Sequence, residues 1–144
     1  MGTLVLAAPA FFVAILVAIS LFGACLHLLI TRLSVSASGL NRLAQRYTVA
    51  MAPAGQPMRR RTLMIGAVRW RHCVDVALYP DGLYIHVRQF MARFPPLLIP
   101  WSDLRLQGET LLYWDRAMRF EVGSPAVTTL VVRMPLYNAM KPYL

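Results

Sequence analysis

From residue 3 to residue 30 the chain is apolar without interruption, and no Asp, Glu, Lys or Arg occurs in that stretch. Proline is tolerated in a first helical turn but not in a helix interior, so the pattern predicts an unbroken helix of 22 residues from Pro9 to Ile30. At ~1.5 Å per residue it measures ~33 Å, against ~30 Å for a bilayer's hydrocarbon core. Residues 3–31 are therefore expected to form a transmembrane anchor. The small polar run from Ser34 to Gly39 predicts a break at the interface. Beyond it, Leu40, Leu43, Ala44 and Tyr47 recur at helical spacing with Arg42, Gln45 and Arg46 between them. That spacing predicts a short amphipathic helix, lying on the membrane surface or packed on a folded domain. Pro53, Gly55 and Pro57 make residues 52–58 a loop, so residues 32–58 read as a connector.

From residue 59 onward the period falls to two. Leu63, Ile65 and Ala67 alternate with Met64, Gly66 and Val68, and Val74, Val76 and Leu78 with Cys73, Asp75 and Ala77. Pro80-Asp81-Gly82 then supplies a turn: Pro fixes φ, Asp caps and Gly accepts positive φ. Leu83 to Phe90 completes a hairpin, and Leu97-Leu98-Ile99 is the next strand, entering Trp101. The runs 104–106, 111–114, 118–122 and 127–132 are the remaining candidates. Short strands spaced by turns predict a mainly antiparallel β domain, a barrel or sandwich, over residues 59–144. Its tail, Tyr137 to Leu144, has room for a turn or two of helix before Pro142.

Composition agrees with a membrane-anchored chain. Of 144 residues, 58% are hydrophobic and only 15% charged, and mean hydropathy is +0.52. Disorder and coiled coil are excluded on that composition. A cleaved signal peptide fits poorly, because no basic segment precedes an apolar run much longer than the ~7–15 residues expected of one. Leu21-Phe22-Gly23-Ala24-Cys25 resembles a lipoprotein cleavage site only faintly, with Phe22 against it. His27, the single ionisable side chain of the span, sits within a turn of Arg32, where a neutral imidazole costs little.

The charge distribution sets the expected orientation. Residues 31–71 hold eight Arg (32, 42, 46, 59, 60, 61, 69 and 71) and no acid. The remainder holds seven basic and six acidic residues, so nearly all of the net +9 flanks the anchor. By the positive-inside tendency the N-terminus is outside and the domain cytoplasmic. Such a basic segment is drawn to anionic lipid by ~1 kcal/mol per residue near the surface. Arg42, Arg46, Arg59, Arg60, Arg61, Arg69 and Arg71 are the candidate contacts for a lipid headgroup or a protein partner. Nucleic acid is the other partner that a pI of 10.6 brings to mind; no recognition-helix pattern or run of aromatics supports it. Cys25 and Cys73 fall on opposite sides of the expected membrane boundary, which fits reduced thiols and not a disulfide.

Asp81-Gly82-Leu83-Tyr84 followed by Pro95-Pro96-Leu97-Leu98-Ile99-Pro100-Trp101-Ser102-Asp103-Leu104 resembles the core of small bacterial membrane-anchored proteins of unknown function, whose β-domains are similar to pleckstrin-homology (PH) and GRAM modules. The segment 39–47, Gly-Leu-Asn-Arg-Leu-Ala-Gln-Arg-Tyr, resembles what those proteins carry upstream. The resemblance spans roughly residues 39–133 and implies a PH-like split barrel or sandwich in the bacterial inner membrane. Within it Gly82, Pro100, Trp101 and Asp103 are expected to be structural: Pro100 ends a strand, Trp101 packs, and Ser102-Asp103 caps the next turn.

Catalytic chemistry is not expected. The chain has no phosphate loop, no Gly-x-Ser-x-Gly elbow and no Cys-x-x-Cys. His72, Cys73, Asp75 and His86 are the only grouping of metal-ligand types, and His72 and Cys73 point to opposite faces of a strand. No metal or cofactor is therefore assigned. The leading expectation is a non-catalytic interaction module that binds anionic lipid, a membrane protein, or both. The alternative is an accessory subunit of a membrane complex, held through its helix; Ala10, Ala14, Ala18 and Gly23 form a small-residue stripe that could seat another helix.

Overall fold

The computed structural model describes residues 3–51, 54–89 and 92–144. The chain divides into two compact units after Leu33.

The first unit is helix α1. The helix as a whole covers Thr3–Ser38, and its stretch Ala10–Ser38, 29 residues at a mean hydropathy of 2.6, is long and apolar enough to cross a membrane. Phe11, Phe12, Leu16, Ile19 and Phe22 are each more than 60% exposed on the protein itself. Apolar on every side, such a helix is more favourable in hydrocarbon than in water. Two boundaries differ from expectation. The helical backbone extends N-terminal to Pro9, which spanning helices tolerate. The chain also does not break at Ser34: helix continues to Ser38, because serine hydroxyls can turn back onto the helix, as Ser38 Oγ does by donating to Val35 O at 2.9 Å. Gly39, at φ 70°, makes the break.

The second unit starts with the last turn of α1, followed by α2 (Leu40–Tyr47). The strands are β1 (Met58–Ile65), β2 (Val68–Tyr79), β3 (Gly82–Gln89), β4 (Ala92–Arg93), β5 (Leu97–Pro100), β6 (Leu104–Leu112), β7 (Asp115–Val122) and β8 (Thr128–Arg133). A short helix α3 (Met134–Met140) and a final 3₁₀ turn, Lys141–Tyr143, close the chain. Phe90, the expected end of the third strand, and Pro53 of the expected loop lie outside the described residues.

All pairings are antiparallel, in the order β4-β3-β2-β1-β8-β7-β6. β4 and β5 pair with successive parts of β3, so they act as one interrupted edge strand and the sheet has seven strand positions. It curls into a half-barrel, an antiparallel β domain as expected. Two meanders, β1–β5 and β6–β8, are joined where Met64 meets Val131 and Ile65 meets Leu130.

Two expected strands are redrawn. The run 63–68 is not one strand but the tip of a hairpin: Gly66, at φ 59°, turns the chain between β1 and β2. No side chain fits there, since a Cβ on Gly66 would lie 2.6 Å from Ser38 O. Conversely, 104–106 and 111–112 belong to one strand, β6, whose register shifts at Gly108. The extra residue of that bulge breaks the alternation that a uniform strand would show. Tyr113 and Trp114 are the following turn, with Tyr113 at φ 62°.

The core lies on one face of the sheet. Leu63, Ile65, Leu83, Ile85, Ile99, Phe120 and Val132 are almost fully buried there. Helix α2 adds Leu40, Leu43 and Tyr47 to the same cluster, and α3 adds Leu136 and Met140. Of the two places the sequence allows for α2, the structure has it packed on the domain. The opposite face carries a small cluster of Leu112, Ala117 and Val131, with Met64 and Tyr113 against it.

Candidate functional site

Four residues of the motif that carries the family resemblance have structural employment. Gly82 is buried and pairs with Pro100 across β3 and β5. Trp101 is half-buried; its Nε1 donates to Tyr79 O at 2.8 Å and its ring stacks on Tyr143 at 5.1 Å. Asp103 does not cap the turn with its carboxylate. It accepts a 2.7 Å hydrogen bond from Tyr47 on α2, with Arg46 4.0 Å away. Burial, and then the Asp103 carboxylate beside it, push the Tyr47 hydroxyl up to about 12.

The arginines separate into three groups. Arg46 is part of the scaffold, donating to Ser124 O at 3.1 Å and lying over the Tyr47 ring. Arg42 and Arg59 are exposed, and neither has a carboxylate partner among the described residues. The other four, Arg60, Arg61, Arg69 and Arg71, come together with a residue the sequence reading passed over, Arg133 at the end of β8.

Adjacency of β2, β1, β8 and β7 brings Arg69, Arg71 and Arg133 together on the sheet's outer face, while Arg60 and Arg61, the latter paired with Val74, adjoin Arg133 beside that face. Met64 of β1 faces Arg69 on one side and Val131 on the other, and Arg133 faces Ala117. The ring of Tyr113 covers this patch. The guanidinium carbons of Arg69, Arg71 and Arg133 lie 4.1, 5.2 and 5.7 Å from its centroid. A ring face attracts a cation by ~0.5–1 kcal/mol at an exposed site. That holds the side chains in place without neutralising them. Only Arg133 has an ion-pair partner here, Asp115 at 3.3 Å; among the described residues, Arg69 and Arg71 have none. Beside Tyr113, Trp114 is 95% exposed. Across the same hairpin Glu109 pairs with Arg116, whose hydrogen bond holds the Glu109 carboxyl below its ordinary range.

Arg60 and His72 occupy irregular points of the β1–β2 hairpin, each with positive φ (54° and 51°) where the register shifts. The Arg60 N–H donates to Asp75 Oδ1 and the His72 N–H to Thr62 Oγ1, both at 3.2 Å. Asp75 also lies 3.5 Å from Arg88. Among the described residues no three His, Cys, Asp or Glu side chains gather around a point. Cys73 is half-buried, which raises its thiol above the ordinary value, and both cysteines are free.

Comparison with protein-family models, curated proteins and solved structures finds no match to this chain. Its chemistry therefore has to be read from the face itself. Guanidiniums gathered on one ring, two of the three without a carboxylate partner, beside an exposed indole suit an anion at a polar–apolar boundary.

Proposed function

We propose that the protein is a non-catalytic, membrane-anchored interaction module whose PH-like β domain binds anionic lipid headgroups at the inner face of a bacterial membrane. The carrying observation is the set of three guanidiniums over Tyr113, two of them without a carboxylate. Their mutual repulsion is relieved by an anion, and arginine's planar fork matches phosphate oxygens in pairs. Trp114 and Leu111, both largely exposed at the neighbouring hairpin, supply the amphipathic and apolar surface that headgroup regions accommodate. The seven-position antiparallel sheet with a helix after its last strand supports the PH-like assignment.

Hydrogen exchange on the full chain in nanodiscs tests this reading. Replacing part of the phosphatidylcholine by phosphatidylglycerol is expected to protect the β6–β7 hairpin and the segments carrying Arg69, Arg71 and Arg133. Protection should fade as salt rises, since exposed charges are screened over ~10 Å at 0.1 M. Identical exchange in neutral and anionic discs would overturn it and leave contact through α1 with another membrane protein as the better account.

A further inference from the structure

A cavity of about 160 Å³ adjoins the arginine face, lined by Arg60, Arg61, Thr62, His72, Arg133, Pro135 and Leu136. Three arginines and a histidine border one small space, none of the lining residues is acidic, and among the described residues only Arg133 of these is ion-paired, to Asp115. We infer that this cavity binds a single phosphate monoester group, carried by a lipid headgroup or by a small soluble phosphate; the inference rests on the anion-binding reading above and narrows it.

Three observations meet here. The first is backbone geometry: positive φ is uncommon outside glycine and least so for Asn, Asp and His, yet Arg60 adopts it, opposite His72 on the adjacent strand. Local strain of this kind gathers at sites where side chains must be re-aimed. Both bulges are pinned from within the domain, their backbone N–H groups donating to Asp75 Oδ1 and Thr62 Oγ1, so the backbone that carries these side chains is fixed before any ligand arrives. The second is Arg133, which lines the cavity as well as belonging to the arginine face; its Nε has no hydrogen-bond partner among the described residues, and its one ion-pair partner there, Asp115, is exposed to solvent. The third is charge. A phosphate monoester carries about −1.5 to −2 at neutral pH with three acceptor oxygens, which suits several convergent donors. A diester brings one charge and fewer free oxygens.

Calorimetric titration of the full chain in zwitterionic detergent, at a pH of about 7.5 where the monoester's second ionisation is nearly complete, separates the outcomes. Dihexanoyl phosphatidic acid is expected to saturate one site per chain and to bind about tenfold or more tightly than dihexanoyl phosphatidylglycerol. Inorganic phosphate identifies the source: affinity equal to that of phosphatidic acid assigns the site to a soluble phosphate, and weak competition assigns it to a headgroup. Arg133→Met and Arg61→Gln should each weaken binding about tenfold, the scale of one charge-assisted hydrogen bond, while Arg105→Gln, on β6, should not. Arg61 is exposed, so Arg61→Gln keeps the test valid if Arg133→Met unfolds. Equal binding of the two lipids, with all three variants losing equally, overturns the cavity and spares the lipid reading. No binding of either lipid overturns both.

Discussion

The same strands present two unlike faces. On the core side of β1, β2 and β8, Leu63, Ile65, Val74, Leu130 and Val132 are each no more than 1% exposed. On the outer side the same strands offer Met64, Arg69, Arg71, Val131 and Arg133, an apolar centre edged by guanidiniums. Successive residues alternate between the faces, so both are specified by one register. The difference lies in what each face needs. The inner face is built mainly of apolar volume, whereas the outer face gathers charge, two of its three guanidiniums without a carboxylate partner. Stability and binding are therefore expected to separate cleanly between them.

The largest effect should come from the inner face. Phe120 is fully buried, with Tyr137 of α3 6.1 Å away, ring to ring. Phe120→Ala should destabilise the domain by about 3–5 kcal/mol, the range for aromatic truncation in a core, read from denaturant unfolding of the full chain in detergent. A loss under about 1 kcal/mol would show that the half-barrel closes around the gap, and would blur the distinction between the faces.

The inner face was far more legible in the sequence than the outer one. A charge-free run of apolar residues declares α1 by itself. The apolar residues Leu40, Leu43 and Tyr47 declare α2, since spacing within one helix is local information. Likewise the β2–β3 hairpin falls at Pro80-Asp81-Gly82, where Tyr79 pairs with Gly82; Gly82 does not take the positive φ expected of it, and glycine is required there because a Cβ would clash with Ile99 O. What stayed hidden is non-local or conceals its own periodicity. Arg133 belongs to a part of the chain where acids nearly balance bases, and it reaches Arg69 and Arg71 only because β8 pairs with β1 some 65 residues away (Ile65 with Leu130). Tyr113 looked like a strand residue because the Gly108 bulge disguises where β6 ends. Charge along the chain makes Arg59, Arg60 and Arg61 equal candidates, whereas the cavity is lined by Arg60 and Arg61 and not by Arg59.

An intermediate effect is expected at the join between α2 and the sheet. Tyr47→Phe removes the hydrogen bond to Asp103 and should cost about 0.5–1.5 kcal/mol at neutral pH. Its pH dependence sharpens the test. Folding raises the Tyr47 hydroxyl from its ordinary 10 to about 12, so the folded state keeps a proton that the unfolded chain has released. That contribution is fully present below pH 10 and is lost as pH rises through 12. Unfolding of the parent chain should thus become easier across that window, by more than in Tyr47→Phe. Parallel pH profiles would mean that Tyr47 ionises in the folded protein as readily as in the unfolded one, and that α2 is not sealed against the sheet there.

The smallest effect on stability should come from the outer face, and there the comparison is most exposed to failure. Arg69→Gln with Arg71→Gln removes two cations over Tyr113 that have no carboxylate partner. Each ring contact contributes ~0.5–1 kcal/mol at most when exposed, and relief of repulsion with Arg133 offsets part of it. The double variant is expected to change unfolding free energy by less than about 0.5 kcal/mol, as exposed substitutions usually do. Binding should respond far more: at ~1 kcal/mol per charge near an anionic surface, affinity for phosphatidylglycerol bilayers falls by about 30-fold. A flotation assay of the full chain cannot read this, because a helix as long and apolar as α1 would itself hold the chain in any bilayer. Hydrogen exchange of the β6–β7 hairpin in anionic nanodiscs can, and it should revert to the neutral-disc pattern. A double variant that unfolds readily, yet keeps its lipid-dependent protection, would reverse the roles of the two faces and make the arginines over Tyr113 part of the scaffold.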